Sequence, residues 1–480
     1  MLTLLLIGLP FVAGFLLLGI KNATLVKRLA FSTSLASVVL TVCCLIAYKT
    51  GQTVLEVNYL WIPSLGIHFH LGIDGISMVM VILSTLLMPF IILAGKKNQE
   101  KAHVLYPLML FMQGAMIGVF TSLDCFLFYI FWELSLIPIY FIILIWGGHN
   151  RKRITLKFFI YTLSGSLLML LAFISLYLLS PNHTFDITGI YGLNLPADVQ
   201  SWLFWFIFIA FAIKMPIFPL HTWQPSTYTA APAQGTMLLS GIMLKMGIYG
   251  VIRWLLPVVP VGVALWGNVA MILAIIGVLY GSIIALKQND LKTLVAYSSI
   301  AHVGLIAAGL FAGNFQSLQG VMFQMLVHGI NVVGLFYLID IIETRTGTRK
   351  ISELGGIRSL SPKFTSLFMI IMLGSIALPL TNGFIGEFLL ISGIFSYNIW
   401  MAFAAGLTII MGAIYMLYMF QRVMLGTPSS ASLKFQDVSG VELIGLSILA
   451  ILVIALGVYP QPLLDLTSDA VNSLFSFIVY

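Results

Sequence analysis

The chain has 480 residues, of which 60% are hydrophobic and only 8% charged, with a mean hydropathy of +1.06 and a net charge of +7. A soluble domain keeps roughly a quarter of its residues charged, so lipid must solvate most of this surface and a water-soluble enzyme or binding module is excluded. In hydrocarbon the backbone has to satisfy its own hydrogen bonds, which leaves helices or a closed barrel. The apolar runs are about 20 residues long, as a helix crossing the bilayer requires, and they lack the ten-residue alternation of barrel strands. The expectation is an all-α polytopic membrane protein.

Fourteen spans are predicted, at residues 2–20, 28–48, 73–95, 103–121, 124–146, 153–180, 201–224, 232–256, 259–286, 290–312, 317–345, 364–395, 398–424 and 440–459. The first lacks a basic start and a small-residue cleavage site, so it reads as an uncleaved span. Lys and Arg then test the count. Clusters follow the odd-numbered spans: Lys21, Lys27 and Arg28; Lys96, Lys97 and Lys101; Arg151, Lys152, Arg153 and Lys157; Lys287 and Lys292; Arg345, Arg349, Lys350, Arg358 and Lys363; Arg422 and Lys434. Of the 23 Lys and Arg, Lys49 and Arg253 fall on the other side, and Lys214 and Lys245 lie within spans. The positive-inside rule puts the clustered loops in the cytoplasm and both termini outside; by chain length and the lack of a targeting segment, the expected location is a bacterial inner membrane, as a multi-pass protein. The net charge is this loop bias near the headgroups and calls for no nucleic acid. The stretch after the last span, with Asp465 and Asp469, is expected at the outer interface.

Cys43, Cys44 and Cys125 have neither metal-ligand nor disulfide-framework spacing and read as packing residues. No Gly-rich phosphate loop, iron–sulfur cysteine cluster or dinucleotide fingerprint occurs in the sequence. Redox or nucleotide chemistry would therefore belong to another chain.

Most ionisable residues sit in loops, so the exceptions carry information. Glu133 lies in the fifth span, Lys214 in the seventh, Lys245 in the eighth, His302 and His328 in the tenth and eleventh, and Glu387 late in the twelfth. A charge at the bilayer centre costs roughly 2.5–3.5 kcal/mol on the insertion scale. A static buried ion pair could account for Glu133 and one lysine, and either histidine alone could be a core residue bonded to a carbonyl. A row of such groups linked by water would instead carry protons, since burial moves lysine and carboxylate toward exchange near neutral pH. Pro216, Pro219 and Pro225 interrupt the seventh span around His221, and Pro379, Asn382, Gly383 and Gly386 interrupt the twelfth just before Glu387. Proline frees helix carbonyls that need partners or water. Two interrupted spans, five apart, predict two inverted five-helix repeats, the arrangement of many secondary transporters. The expected division of one membrane domain (1–480) is 1–102 for the first three spans, 103–257 and 258–425 for the repeats, and 426–480 for the last span and tail.

At these residues the chain resembles the antiporter-like membrane subunits of respiratory complex I, the NADH–quinone oxidoreductase. The resemblance runs from about the third to the thirteenth span and rests on KMPIFPLHTWQPSTYTAAPAQGTMLLSGIMLKMGIYG (214–250) and FWELSLIP (131–138). It looks nearest to the M-type branch, similar to mitochondrial subunit four, because PLTNGFIGEFLLI (379–391) has Glu387 where L-type relatives usually have lysine. With the chain ending at Tyr480, the long lateral helix of the L type is not expected. Relatives also include multisubunit cation/proton antiporters and membrane-bound hydrogenases, which stand as alternatives. The resemblance implies a proton-translocating subunit in which Glu133 pairs with Lys214, Lys214 is the switching carrier, Lys245, His302 and His328 connect the halves, and Glu387 exchanges protons with the outer side. Asp124 matches a further family carboxylate, although a carboxylate at a helix start also stabilises it. A direct proton role for His221 and a purely structural one in the broken turn both remain open. The chain would hold no cofactor; partner subunits would carry FMN and iron–sulfur clusters and bind quinone. Expected neighbours are L- and N-type subunits and small membrane subunits.

Overall fold

The structure is a computed structural model that describes residues 1–51, 55–94 and 99–478. The loop lysines Lys96 and Lys97 lie outside the described residues. Among the described residues, twelve helices are long and apolar enough to cross a membrane. The shorter Leu2–Leu18 and the interrupted pair Pro362–Ser375 and Asn382–Tyr397 account for the remaining expected spans. The residues described group into two compact units, Met1–Met215 with Ile242–Asn268 and Thr467–Tyr480, and Pro216–Gly241 with Val269–Leu466.

Lipid solvation is visible in which side chains stay outside. On helix Arg151–Leu179, Leu156, Ile160, Leu167, Leu171 and Leu178 are exposed, while Phe158, Thr162, Ser166, Met169 and Phe173 are buried. Along the apolar part of this helix, Thr162 and Ser166 face protein while large apolar side chains face outward, the reverse of a soluble helix. Three spans are enclosed almost entirely: Ala233–Leu255 at 100%, Phe315–Thr346 at 94% and Leu291–Leu310 at 89% of their most apolar stretch. These enclosed helices carry Lys245, His328 and His302, so none of the three need face lipid.

In the first unit, Leu2–Leu18 and Ala102–Thr121 approach closely where Gly14 meets the Phe111 ring and Gly114 meets the Phe11 ring. The chain between Ala23–Lys49 and Gly75–Leu93 forms an antiparallel hairpin of strands Val57–Ile62 and Ile67–Leu71, which the sequence reading missed. Its turn needs a left-handed residue, and Gly66 takes φ +57 there without a Cβ clash. Helix Ala23–Lys49 begins five residues before the predicted start, because Asn22 caps it by accepting from Thr24 and Leu25 N–H. Lys27 and Arg28 thus lie in its first two turns rather than in a loop.

Both predicted interruptions occur. Helix Ala197–Lys214 ends at Lys214; residues 215–223, with Pro216 and Pro219, are not α-helical, and Gln224–Ala230 resumes with Pro225 near its start, where the missing N–H costs nothing. The Phe218–Pro219 peptide is cis. In the second unit, Pro362–Ser375 gives way to a turn in which Ala377 (φ +56) and Leu380 (φ +72) hold left-handed conformations. Each such non-glycine residue costs about 1–2 kcal/mol. Thr381 Oγ1 donates to Leu378 O at 2.6 Å, and Asn382–Tyr397 follows. The last helix, Gln461–Ile478, is amphipathic and buries Leu463, Leu466, Val471 and Leu474.

Candidate functional site

In the first unit, helix Cys125–Trp146 is started by Asp124, whose carboxylate accepts from Phe126 and Leu127 N–H at 2.9 Å and from His68 N–H of the hairpin at 3.0 Å. A single side chain thus caps the helix, a contribution of about 1 kcal/mol, and ties it to the hairpin. Two turns on, this helix presents Trp132 and Glu133. Lys214 sits at the C-terminal end of Ala197–Lys214, where the helix carbonyls favour a cation. It is 2% exposed, and its Nζ lies 4.8 Å from the centre of the Trp132 ring. Nζ has no hydrogen-bond partner among the described residues, and neither does Glu133 Oε1. Glu133 is within electrostatic reach of the ammonium. The expected direct Glu133–Lys214 contact is therefore not made in this conformation, and the ammonium rests on the indole face instead.

Lys245 is fully buried in Leu244–Gly250, between two π-helical turns, Leu239–Met243 and Val251–Leu255. A π turn carries an extra residue and leaves the i→i−4 ladder out of step, a feature frequent at functional sites. Gly247 and Gly250 let this segment lie directly on the end of Ala197–Lys214: a Cβ on Gly247 would come within 2.8 Å of Phe211 O. The helix of Lys245 is thereby seated against the helix end that carries Lys214.

In the second unit, His302, His328 and Glu387 come together. Glu387 is 1% exposed, His302 Nδ1 stands 2.9 Å from its Oε1, and Gln324 Nε2 approaches the same oxygen at 3.4 Å. The His302 and His328 rings are 5.9 Å apart, and His328 Nε2 is 3.3 Å from Ser299 Oγ. Gln324, His328 and Asn331 follow one face of Phe315–Thr346 at helical spacing. Asn331 exchanges amide hydrogen bonds with Asn382 at 3.0 and 3.1 Å, fixing the first residue of the second half-helix. A cavity of about 20 Å³ is lined by Ser298, Ser299, His302, Gln324, His328 and Asn331, among others. That is room for one water with several polar partners. His221 is buried in the broken seventh span, its ring 4.8 Å from Tyr280 and stacked on Phe218 at 5.6 Å.

Several polar residues escaped the sequence reading. Lys292, counted with the cytoplasmic cluster at the start of the predicted span 290–312, is buried in Leu291–Leu310 and donates to Ala231 O at 2.6 Å, the carbonyl just past half-helix Gln224–Ala230. Arg253, counted with the outer-side charges near the end of the predicted span 232–256, is buried and bonds Asp74 at 2.6 Å. Nothing in spacing alone marks these pairs, because their partners are remote in sequence. Among the described residues no group of three or more His, Cys, Asp or Glu has metal-site geometry.

At the hairpin, buried His70 joins two carboxylates, Asp186 at 2.5 Å from Nδ1 and Glu56 at 3.0 Å from Nε2. Burial alone would lower the His70 pKa, but the hydrogen bonds and charges of Asp186 and Glu56 outweigh it and raise it above the ordinary value. For Asp186 burial acts upward, and the His70 and Thr188 hydrogen bonds overcome it and hold the carboxyl below its usual range. Burial pushes Asp124 up to about 6 against its three backbone donors. A raised histidine stabilises fully below its unfolded value of about 6.5 and loses that contribution as pH rises through the folded value. Raised Asp124 acts in the same sense between about 3.9 and 6, and depressed Asp186 in the opposite sense below about 3.9. Amide-exchange protection of strands Val57–Ile62 and Ile67–Leu71 should therefore be highest near about pH 4 and fall as pH rises, first as Asp124 ionises towards about 6 and then above about 6.5 as His70 loses its proton. His70→Gln should cost the hairpin roughly 1.5–3 kcal/mol of opening free energy, since a charged partner is lost. Equal protection in both proteins at every pH would rule the latch out.

Two interrupted spans with buried titratable groups at or near the breaks define a membrane protein of secondary-transporter type. A family described as NADH:quinone oxidoreductase/Mrp antiporter, TM matches residues 122–412, well over half of the sequence, and the chain belongs to that family. NADH-quinone oxidoreductase subunit M of Rickettsia conorii is 40% identical over 456 residues, covering 94% of this chain and 92% of its own. F(420)H(2) dehydrogenase subunit M of Methanosarcina mazei is 36% identical, covering 98% of each. Among solved structures, a chain of respiratory complex I from Thermus thermophilus with bound NADH superposes with a TM-score of 0.92 at 29% identity over 100% of both chains. A chain of the Mrp complex from Dietzia shares the fold alone, with a TM-score of 0.88 at 20% identity over 99% of this chain and 97% of that one.

Proposed function

We propose that this chain is the M-type proton-translocating subunit of the membrane arm of a bacterial NADH–quinone oxidoreductase. It lies in the inner membrane with both termini outside, beside L- and N-type and small membrane subunits. Partner subunits hold FMN, iron–sulfur clusters and the quinone site; this chain supplies protonatable groups and no redox centre. The five-helix segments 103–257 and 258–425 act as inverted repeats, each built around its broken span. Glu133 pairs with Lys214, the switching proton carrier; Lys245, His302 and His328 connect the halves, and Glu387 exchanges protons with the outer side. The supporting observation is the buried His302–Glu387 contact at 2.9 Å in a chain that is 40% identical to a subunit M over nearly its full length.

A charge costs roughly 2.5–3.5 kcal/mol at the membrane centre, and an apolar replacement would serve packing equally well. Retention of so many titratable groups on enclosed helices accords with transport. The alternative is a multisubunit cation/proton antiporter or a membrane-bound hydrogenase, favoured by the shared fold with the Mrp chain. Affinity-tagging the chain, extracting it in mild detergent and weighing its companions separates the two. Co-purification of flavin and iron–sulfur subunits with NADH–quinone activity is expected. Recovery of small membrane subunits alone, with sodium- or potassium-dependent proton movement and no response to NADH, would overturn the complex I assignment.

A further inference from the structure

The ammonium of Lys214 faces two neighbours in chain order, Trp132 and Glu133, and occupies the first. Its Nζ stands 4.8 Å from the indole centre, within the range of a cation–π contact, while no hydrogen bond from it reaches a described residue. The indole is 3% exposed and held in place by Phe128 and Phe211, each with its ring centre 5.6 Å away. Lys214 closes its half-helix and is followed by the non-helical 215–223, so its backbone is anchored on one side while its long side chain can sweep. Successive residues on Cys125–Trp146 point about 100° apart around the axis, yet Glu133 lies within electrostatic reach of the same ammonium that stands over Trp132, so a swing of the long side chain separates the two places.

We propose that Trp132 is a second resting place for the Lys214 ammonium, alternating with the Glu133 carboxylate, and so a positioning residue for proton transfer. The proposal rests on the relay role of Lys214 given above. The two places differ in chemistry. A carboxylate attracts the ammonium and can also take its proton. An indole face attracts the cation through its quadrupole but offers no acceptor lone pair, since the ring nitrogen only donates. A lysine on Trp132 therefore keeps its proton in a dry site without returning it to Glu133, and is free to hand it onward. Leaving Glu133 for a seat of this kind costs far less than leaving it for bare hydrocarbon, because a desolvated cation–π contact offsets part of the loss.

The test uses the whole complex, reconstituted in vesicles, with Trp132→Phe, Trp132→Tyr, Trp132→Leu and, as reference, Lys214→Met. Pumping per assembled complex should fall about tenfold in Trp132→Leu, the loss expected for a partly desolvated cation–π contact. Phe and Tyr, which keep an aromatic face, should restore it to within about threefold. A packing role predicts poorer assembly but normal pumping per assembled complex. If Trp132→Leu does not assemble, the near-ultraviolet band of Trp132, isolated as wild type minus Trp132→Phe, replaces it: Lys214→Met should move that band. Normal pumping in Trp132→Leu, or in its absence an unmoved band, overturns the proposal. If Lys214→Met itself pumps normally, the relay reading fails instead, so the two failures are distinguishable.

Discussion

Lys214→Met, in a complex that assembles and binds its substrates, should lower proton pumping by at least about tenfold and slow NADH oxidation with it. The substitution keeps an unbranched side chain of similar length, so packing against Trp132 survives. What disappears is the one cation at the end of its half-helix, poised between an indole face and Glu133. A proton that must stop on this group loses its site, and each 1.36 kcal/mol added to the highest barrier is a further factor of ten. Slowed electron transfer is part of the expectation, because a tightly coupled machine cannot turn over with its proton step blocked. The measurement is paired: quinone-dependent NADH oxidation and the pH change across reconstituted vesicles. Normal proton flux from a fully assembled variant would remove Lys214 from the path.

Glu387→Gln is the second large effect. The amide nearly matches the carboxyl in shape, so the Gln324 approach at 3.4 Å can persist. The charge partner of His302, at 2.9 Å, is lost, and so is a group able to accept a proton. Pumping should again drop by about tenfold or more, with subunit content unchanged on a denaturing gel. Glu387→Asp retains the acid but shortens it by one methylene, so it should recover part of the flux. Identical proton yields per NADH in wild type and Glu387→Gln would show that protons leave by another route.

The sequence made much of this legible, for a definable physical reason. Composition, span length and lysine placement act locally, so fold class, spans and both interruptions followed from them. The unusual cost of a buried charge singled out Glu133, Lys214, Lys245, His302, His328 and Glu387, and the structure groups the last three. What escaped depends on tertiary geometry. The π turns around Lys245 arise from how its helix lies on Ala197–Lys214 through Gly247. Trp132 looked like one more aromatic in an apolar span until the Lys214 side chain was seen lying over it. The Arg253–Asp74 and His70–Asp186 pairs join residues far apart in sequence, and Arg253 and Lys292, close to the ends of their predicted spans, counted as side-setting charges although both are buried. The hairpin 57–71 was missed because its side chains do not alternate cleanly between faces.

Helix Phe315–Thr346 has a mechanical consequence of its own. At 32 residues it is about 48 Å long at 1.5 Å per residue, well beyond the roughly 30 Å of hydrocarbon. A lone helix of that length would tilt to fit. This one is buried in protein from Ser317 to Ile339, and Arg345, near its end, is tied to Glu442. It behaves as a fixed strut, and in membranes of different thickness the lipid has to stretch or thin around it. The height of His328 above either surface is then set by the protein rather than by the bilayer it inhabits.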